Sequence, residues 1–164
     1  MTGQLLRYAH ATPGFSIDLP SDWEMQVDPQ PAVAIAVLEQ RDDDAFRANL
    51  VVTTDDLPDG MDLTIWQAGI EERLPDALND YYLLDMENVF LDQEPAHRRL
   101  AHHITGSGVA VTMQQWSTLR GRRGLSVTTT VDTLELASTA ALFNRIVASL
   151  SVADDPPARN DEMR

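Results

Sequence analysis

Between Gly108 and Val131 the chain alternates regularly enough to predict two β-strands and the turn that joins them, GVAVTMQQWSTLRGRRGLSVTTTV. Successive side chains on a strand point to opposite faces. Val109, Val111, Met113 and Leu119 therefore share one face of the first strand, and Thr112, Gln114, Trp116 and Thr118 share the other. An even-numbered turn at Gly121-Arg122-Arg123-Gly124 pairs Arg120 with Leu125, sets Trp116 opposite Thr129, and puts Leu125, Val127 and Val131 on the Trp116 face. The aliphatic residues of the two strands then lie on opposite faces of one sheet. A sheet wetted on one side does not show this pattern, so both faces need a cover, as in a sheet sandwiched between helices.

Upstream, Leu5 to Ala9 predicts a short strand, and after Pro13-Gly14 the alternation Phe15 to Leu19 predicts a second, which Pro20 ends. Ser21-Asp22-Trp23-Glu24 reads as a turn that delivers Trp23 onto the sheet, followed by a loop at Pro29 and Pro31. The apolar run Ala32 to Leu38 predicts a third strand, and Phe46 to Thr54 a fourth after the charged turn Asp42-Asp43-Asp44. Asp62 is placed to cap a helix from Leu63 to about Leu78, because Leu63, Trp66, Ile70, Leu74 and Leu78 recur at helical spacing, and Pro75 predicts an end or kink near Leu74. Tyr82 to Leu91 and Ala96 to Thr105 predict two further strands, separated by Gln93-Glu94-Pro95, and Gly106-Ser107-Gly108 turns into the hairpin. After Asp132-Thr133, the stripe Leu136, Ala140, Phe143, Val147 and Leu150 predicts a second helix. This order of elements argues for an α+β fold with a central, largely antiparallel sheet of about six to seven strands and two main helices. Residues 1–150 form a single expected domain, and residues 151–164, an acidic stretch with almost nothing to bury, are expected to be a disordered tail.

A chain of 164 residues can bury a core without covalent staples, and it contains no cysteine, which excludes disulfides and thiolate metal sites and suits a reducing compartment. Its basic residues are all arginine, 12 against 26 acids, giving a formal net charge of -14. Such a surface repels phosphate backbones, so nucleic acid is not an expected partner. No apolar run is long enough for a membrane span, and MTGQLLRYAHATPGF lacks a basic start with an apolar core, so the expected location is the cytoplasm. Arginine in place of lysine, with abundant Ala and Asp, is the usage of a high-GC bacterial proteome, an association of composition only.

Candidate chemistry is sparse. Asp55 to Trp66 has Gly60 at the sixth place of a calcium-type loop, but the third and twelfth places are Leu57 and Trp66, so an acidic loop with a helix cap is the better reading. His97, His102 and His103 are the only dense titratable cluster. On one strand His102 and His103 face opposite ways, while His97 lies about 20 Å from His103 along an extended chain, so they do not converge on an ion. No G-x-S-x-G occurs, Gly106-Ser107-Gly108 fits hairpin punctuation, and GRRG joins strand patterns, where an RNA-clamping GXXG loop joins helices. Each tryptophan is in phase with apolar neighbours. Gln114, Trp116 and Thr129 mark the sheet face that must either meet a covering helix or hold a partner, and they are the candidate partner-binding residues.

Several stretches carry a family likeness: Gly14-Phe15-Ser16-Ile17-Asp18-Leu19-Pro20 with Trp23; Asn49-Leu50-Val51-Val52; Leu83-Leu84-Asp85 running to Pro95-Ala96; Gln114-Gln115-Trp116; and Phe143-Asn144-Arg145-Ile146-Val147-Ala148-Ser149-Leu150. In order and spacing, over roughly residues 14 to 150, the chain resembles the PsbP-like superfamily, which includes Ran-binding Mog-type proteins and bacterial DcrB-like domains. The resemblance implies an α/β/α sandwich and binding rather than catalysis, since its relatives serve as photosystem accessory subunits, a GTPase-binding protein, lipoproteins and secretion chaperones. It implies no cofactor and no catalytic residue, and the lipoprotein form does not carry over to a chain without cysteine. The expected function is a non-enzymatic protein-binding or adaptor domain, extending to a chaperone for a secreted or membrane-associated partner. The alternatives are a small-molecule or metal-dependent enzyme built on His97, His102 and His103, and a structural subunit of a homo-oligomer such as a homodimer.

Overall fold

The computed structural model describes residues 3–153. Two antiparallel sheets form. The smaller joins β1 (Leu5–His10), β2 (Phe15–Pro20) and β10 (Ser151–Val152) in the order β1-β2-β10. The larger has seven strands: β3 (Glu24–Gln30), β4 (Val33–Leu38), β5 (Asn49–Asp56), β6 (Asn79–Leu91), β7 (Glu94–Ile104), β8 (Ala110–Arg120) and β9 (Arg123–Asp132), in the order β3-β4-β5-β9-β8-β7-β6. Helix α1 (Leu63–Ala77) joins β5 to β6, and α2 (Leu136–Ala148) joins β9 to β10. The result is an α+β fold layered as α1, then the seven-stranded sheet, then α2 with the smaller sheet.

The two faces of the large sheet differ in chemistry. Ile35 and Val37 of β4, Leu50 and Val52 of β5, Leu125, Val127 and Val131 of β9 and Trp116 of β8 share one face and join the main apolar cluster. Phe15, Ile17 and Leu19 of β2 and Phe143, Ile146 and Val147 of α2 close that cluster from the other side. Fully burying an aliphatic or aromatic side chain contributes about 1.5–3 kcal/mol, so this interface supplies most of the driving force. Trp23, delivered by the turn after β2, meets Phe143 edge-on with ring centroids 6.1 Å apart. The opposite face carries Arg99, Gln115, Ser117, Ser126 and Thr128, and α1 lies over it with Trp66 and Gln67 buried.

Four expectations need correction. The stretch Glu24–Gln30 is strand β3, where a turn and loop were expected; it is an outer strand, exposed along nearly its whole length, so no buried period marks it in the sequence. Helix α1, close to the expected span of Leu63 to about Leu78, does not end at Leu74 but runs through Pro75 to Ala77, and Leu78 N–H still donates to Leu74 O at 2.9 Å, because the donor that proline lacks falls in the exposed last turn. The hairpin turn holds two residues, not four: Arg120 pairs with Arg123, Trp116 with Val127 and Gln114 with Thr129, and Gly121 at φ 59 occupies the first central position of a two-residue turn. Both turns are even, so the face assignments stand while the register moves by two. Ser151 and Val152 pair with Ser16 and Phe15, so the expected boundary at residue 150 falls inside the fold; residues 154–164 of the expected tail lie outside the described residues.

At Gly124 the backbone of β9 lies close against Trp66 of α1. A Cβ there would stand 2.6 Å from the Trp66 ring, and the backbone at this position is ordinary, so space alone demands glycine. Gly124→Ala is expected to destabilise the protein by about 1–3 kcal/mol through overpacking, measured as a lowered urea midpoint at unchanged slope, with Trp66→Phe recovering part of the loss.

Candidate functional site

The three candidate residues are brought together, and all are buried. Thr129 and Gln114 pair directly across β8 and β9, and Trp116 is one alternation along the same face. Exposure is 1% for Thr129 and 6% for both Gln114 and Trp116, so the Gln and Thr side chains do not form an open hydrogen-bonding surface. Gln114 Oε1 accepts from Arg98 Nη2 at 2.8 Å and Nε at 3.2 Å. Arg98 also donates to Glu87 Oε1 at 2.9 Å, and its guanidinium carbon stands 6.0 Å from the Trp116 ring centroid. Gln114 and Glu87 thus fix Arg98 beside the indole, where the ring face attracts the cation.

Trp116 is almost wholly covered, and only its margin is left at the surface. Its outer side borders a groove of about 430 Å³ lined by Val89, Phe90, Leu91 and Asp92 from the end of β6 and by Asn144, Val147 and Ala148 from α2. Phe90 is 76% exposed, but alternation with Val89, which shares the Trp116 face through Ala96 and Thr118, sends its side chain to the other face of β6. Asp92 anchors the groove's end: its carboxylate accepts from Val152 N–H at 2.8 Å and lies 3.5 Å from Arg120 Nη2. The turn after it places Asp92 at φ 48 and Gln93 at φ 65, the left-handed pair that a two-residue hairpin requires and that glycine takes most easily.

The histidines do not form a centre. His102 lies on the Trp116 face, its Nδ1 2.9 Å from Thr112 Oγ1, whereas His97 and His103 lie on the α1 face. Burial pushes the pKa of both His97 and His103 down, and neither Nδ1 has a hydrogen-bond partner. Among the described residues no group of three or more His, Asp or Glu side chains stands close enough to hold a metal ion. Asp62 caps α1 by accepting from Ile65 N–H at 2.8 Å, as the acidic-loop reading expected. Gly108, at φ 89, and Thr105 close the turn at Gly106-Ser107-Gly108, and Arg122 of GRRG reaches back to Leu57 O at 3.1 Å and Asp59 at 3.2 Å.

One cluster gave no sequence signal. Arg99, at 0% exposure, donates to Glu71 Oε2 at 2.9 Å, to Gln67 Oε1 at 3.2 Å, to Gln67 O at 3.1 Å and to Gln115 Oε1 at 2.6 Å. Tyr81 O–H donates to the same Glu71 oxygen at 2.8 Å, and burial, with the Glu71 carboxylate second, holds the phenol well above its usual range. Every acceptor but Gln115 comes from α1, so the cluster ties that helix to β7 and β8.

No family model matches the chain, and no curated protein matches it. Solved structures do. Cyanobacterial PsbP (CyanoP) from Synechocystis sp. PCC 6803 superposes with a TM-score of 0.72 at 17% identity, covering 93% of this chain and 94% of that one. LpqN of Mycobacterium tuberculosis, described as involved in cell envelope biogenesis, gives 0.68 at 16% identity over 92% and 91%. The Saccharomyces cerevisiae Ran-binding protein Mog1p gives 0.63 at 14% identity over 93% and 97%. The chain therefore has the PsbP-like, Mog1-like fold that its sequence resembles. No helix among the described residues is long and apolar enough to cross a membrane.

Arg99→Met should lower the unfolding free energy by about 3 kcal/mol, because it leaves Glu71 and two glutamines without their cation, and adding Glu71→Met should recover part of that loss. Equal losses in the single and double variants would assign Arg99 a packing role alone. His97 and His103 predict a pH dependence. Their folded pKa values are depressed, so below about 6.5 the unfolded chain binds more protons, and stability is full above that pH and falls as pH drops below it. Urea titrations at pH 7.5 and 5.5 should show this loss, and replacing both histidines with glutamine should flatten it.

Proposed function

We propose that the chain is a non-enzymatic protein-binding or adaptor domain, of the kind that escorts a secreted or membrane-associated partner, and that the partner seats in the groove between α2 and the end of β6. The observation that carries this reading is the groove itself, in which Val89 and Leu91 of the outer strand β6 and Val147 of α2 border the margin of Trp116. Buried aromatic anchors beside solvent-facing rims are where binding energy concentrates in protein interfaces. In this arrangement Trp116 touches the partner, Gln114 holds Arg98 against the indole, and Thr129 backs Gln114 from the neighbouring strand. The fold likeness adds support, since Mog1p is a Ran-binding protein. A reducing, cytoplasmic setting belongs to the same reading and rests on the absence of cysteine.

Asn144 and Ala148 line the groove and are exposed, so substitutions there fill it without disturbing the core. A photo-cross-linker at position 144 of the full chain should capture one partner protein. Ala148→Arg should reduce that capture at least tenfold, while Ala68→Arg on the exposed side of α1 should leave it unchanged. Equal capture by both variants would place the partner elsewhere.

A further inference from the structure

An outer strand presents unpaired backbone N–H and C=O groups, and natural sheets blunt such edges with bulges, charges, proline or short length. Among the described residues the two sheets end on four strands, β3, β6, β1 and β10. Three of these are blunted. β6 shifts register twice and carries Asp80, Asp85 and Glu87. β3 is bulged between Val27 and Gln30, with Asp28 at φ 47 followed by Pro29. β10 is two residues long. β1, Leu-Leu-Arg-Tyr-Ala-His, pairs with β2 in unbroken register over all six residues and contains no proline or bulge, and its one charge, Arg7, is drawn toward β2 and α2 by Asp18 and Ser149 O.

The unblunted edge faces an apolar opening. Leu6 pairs with Leu19 and Met25 with Val37, while Val27 pairs with Ile35, so strand parity assigns all three to the interior. Their partners are 5% exposed or less, yet Leu6 is 52% exposed, Met25 44% and Val27 49%. Between β1 and β3 runs a groove of about 220 Å³ with Leu19, Trp23 and Val37 among its lining residues. His10 joins the two strands further along, its Nε2 3.3 Å from Asp28 Oδ1 and its Nδ1 2.8 Å from the Tyr8 hydroxyl.

Two features select the occupant. The free backbone groups of β1 call for a polypeptide, because an acyl chain fills an apolar groove and brings no hydrogen bonds. The charge calls for a basic one: Arg7, which lines the opening, is paired with Asp18, Asp22 and Glu24 lie in the chain between lining residues, and the chain as a whole carries -14. The same charge disfavours a second copy. We propose that β1 is a strand-addition site, at which an extended, basic segment of a partner protein pairs with its outer edge and lays alternate apolar side chains on Leu6, Met25 and Val27. This site is separate from the Trp116 groove and stands whether or not that groove binds.

The test uses the full chain and a fluorescent peptide that alternates valine and threonine between lysine ends. Binding should perturb the amide resonances of residues 5–10. N-methylation of the peptide backbone, glutamate ends in place of lysine, and Leu6→Arg in the protein should each weaken binding at least tenfold. Thermal melting of Leu6→Arg, an exposed position, checks that the variant is folded. Absence of binding at millimolar peptide overturns the proposal. So does equal affinity for the N-methylated peptide; if dodecanoate then displaces the peptide, the groove is a site for aliphatic chains. Equal affinity for the glutamate-ended peptide removes the basic partner.

Discussion

Arg99 sits in the middle of β7 with no solvent exposure, and a guanidinium cannot relieve that burial by releasing its proton. Its donors must therefore be satisfied inside the protein, and the structure around it is arranged to do so. Glu71 and Gln67 stand one helical turn apart on α1, which puts a carboxylate and an amide on one face of the helix, and Gln115 approaches from β8. This requirement fixes where α1 crosses the sheet. It also accounts for the polar character of that face, where Ser117 and Ser126 bond at 2.8 Å and Gln115 donates to Thr128 at 3.0 Å. A buried ion pair of this kind adds little net stability compared with apolar packing, but it penalises any other placement of the helix.

The other face follows the opposite logic. Leu50, Val52, Val127 and Trp116 meet Ile17, Phe143 and Ile146 in one apolar cluster, so that part of the interface holds by area. Area alone does not fix position, and position there comes from covalent and edge constraints: β10 returns from α2 to pair with β2, and Asp92 ties the β6–β7 turn to Val152. The sheet has one cover placed by hydrogen bonds and another placed by chain connection. Neither cover reaches the margins of the apolar face. Grooves with apolar lining consequently open beside Trp116 at the β6 end and between β1 and β3.

Much of this could be read from the residues, and the parts that could not have physical causes. Parity needs only an even turn, so the faces of β8 and β9 were legible, whereas the register depends on how many residues the turn holds, and Gly121-Arg122-Arg123-Gly124 allows both two and four. Helix α2 was legible because Phe143 and Val147 repeat on one stripe against an apolar layer. β3 was not, because an outer strand with Asp28 and Pro29 carries no alternation beyond Met25 and Val27. Arg99 could not be singled out either: an arginine between Arg98 and Leu100 on a strand reads as solvated, and its partners lie 16 to 32 residues away in the chain.

Trp116 illustrates why a candidate site can be correctly placed in sequence and differently built in space. The alternation put Gln114, Trp116 and Thr129 on one face, and they are on one face. Alternation says nothing of what covers that face, and α2 with β2 covers most of it. Burial changes what these residues can do. A glutamine at 6% exposure that accepts two bonds from Arg98 has spent its acceptor, so it positions a neighbour rather than contacting a partner. The indole alone keeps a side toward the groove. Chemistry available to a partner there is therefore apolar contact flanked by Arg98, Glu87 and Asp92, a pattern suited to a segment that inserts one large apolar side chain. At β1 the available chemistry is backbone hydrogen bonding along six residues, suited to an extended segment. The two margins therefore present different chemistry, apolar contact beside Trp116 and backbone hydrogen bonding at β1.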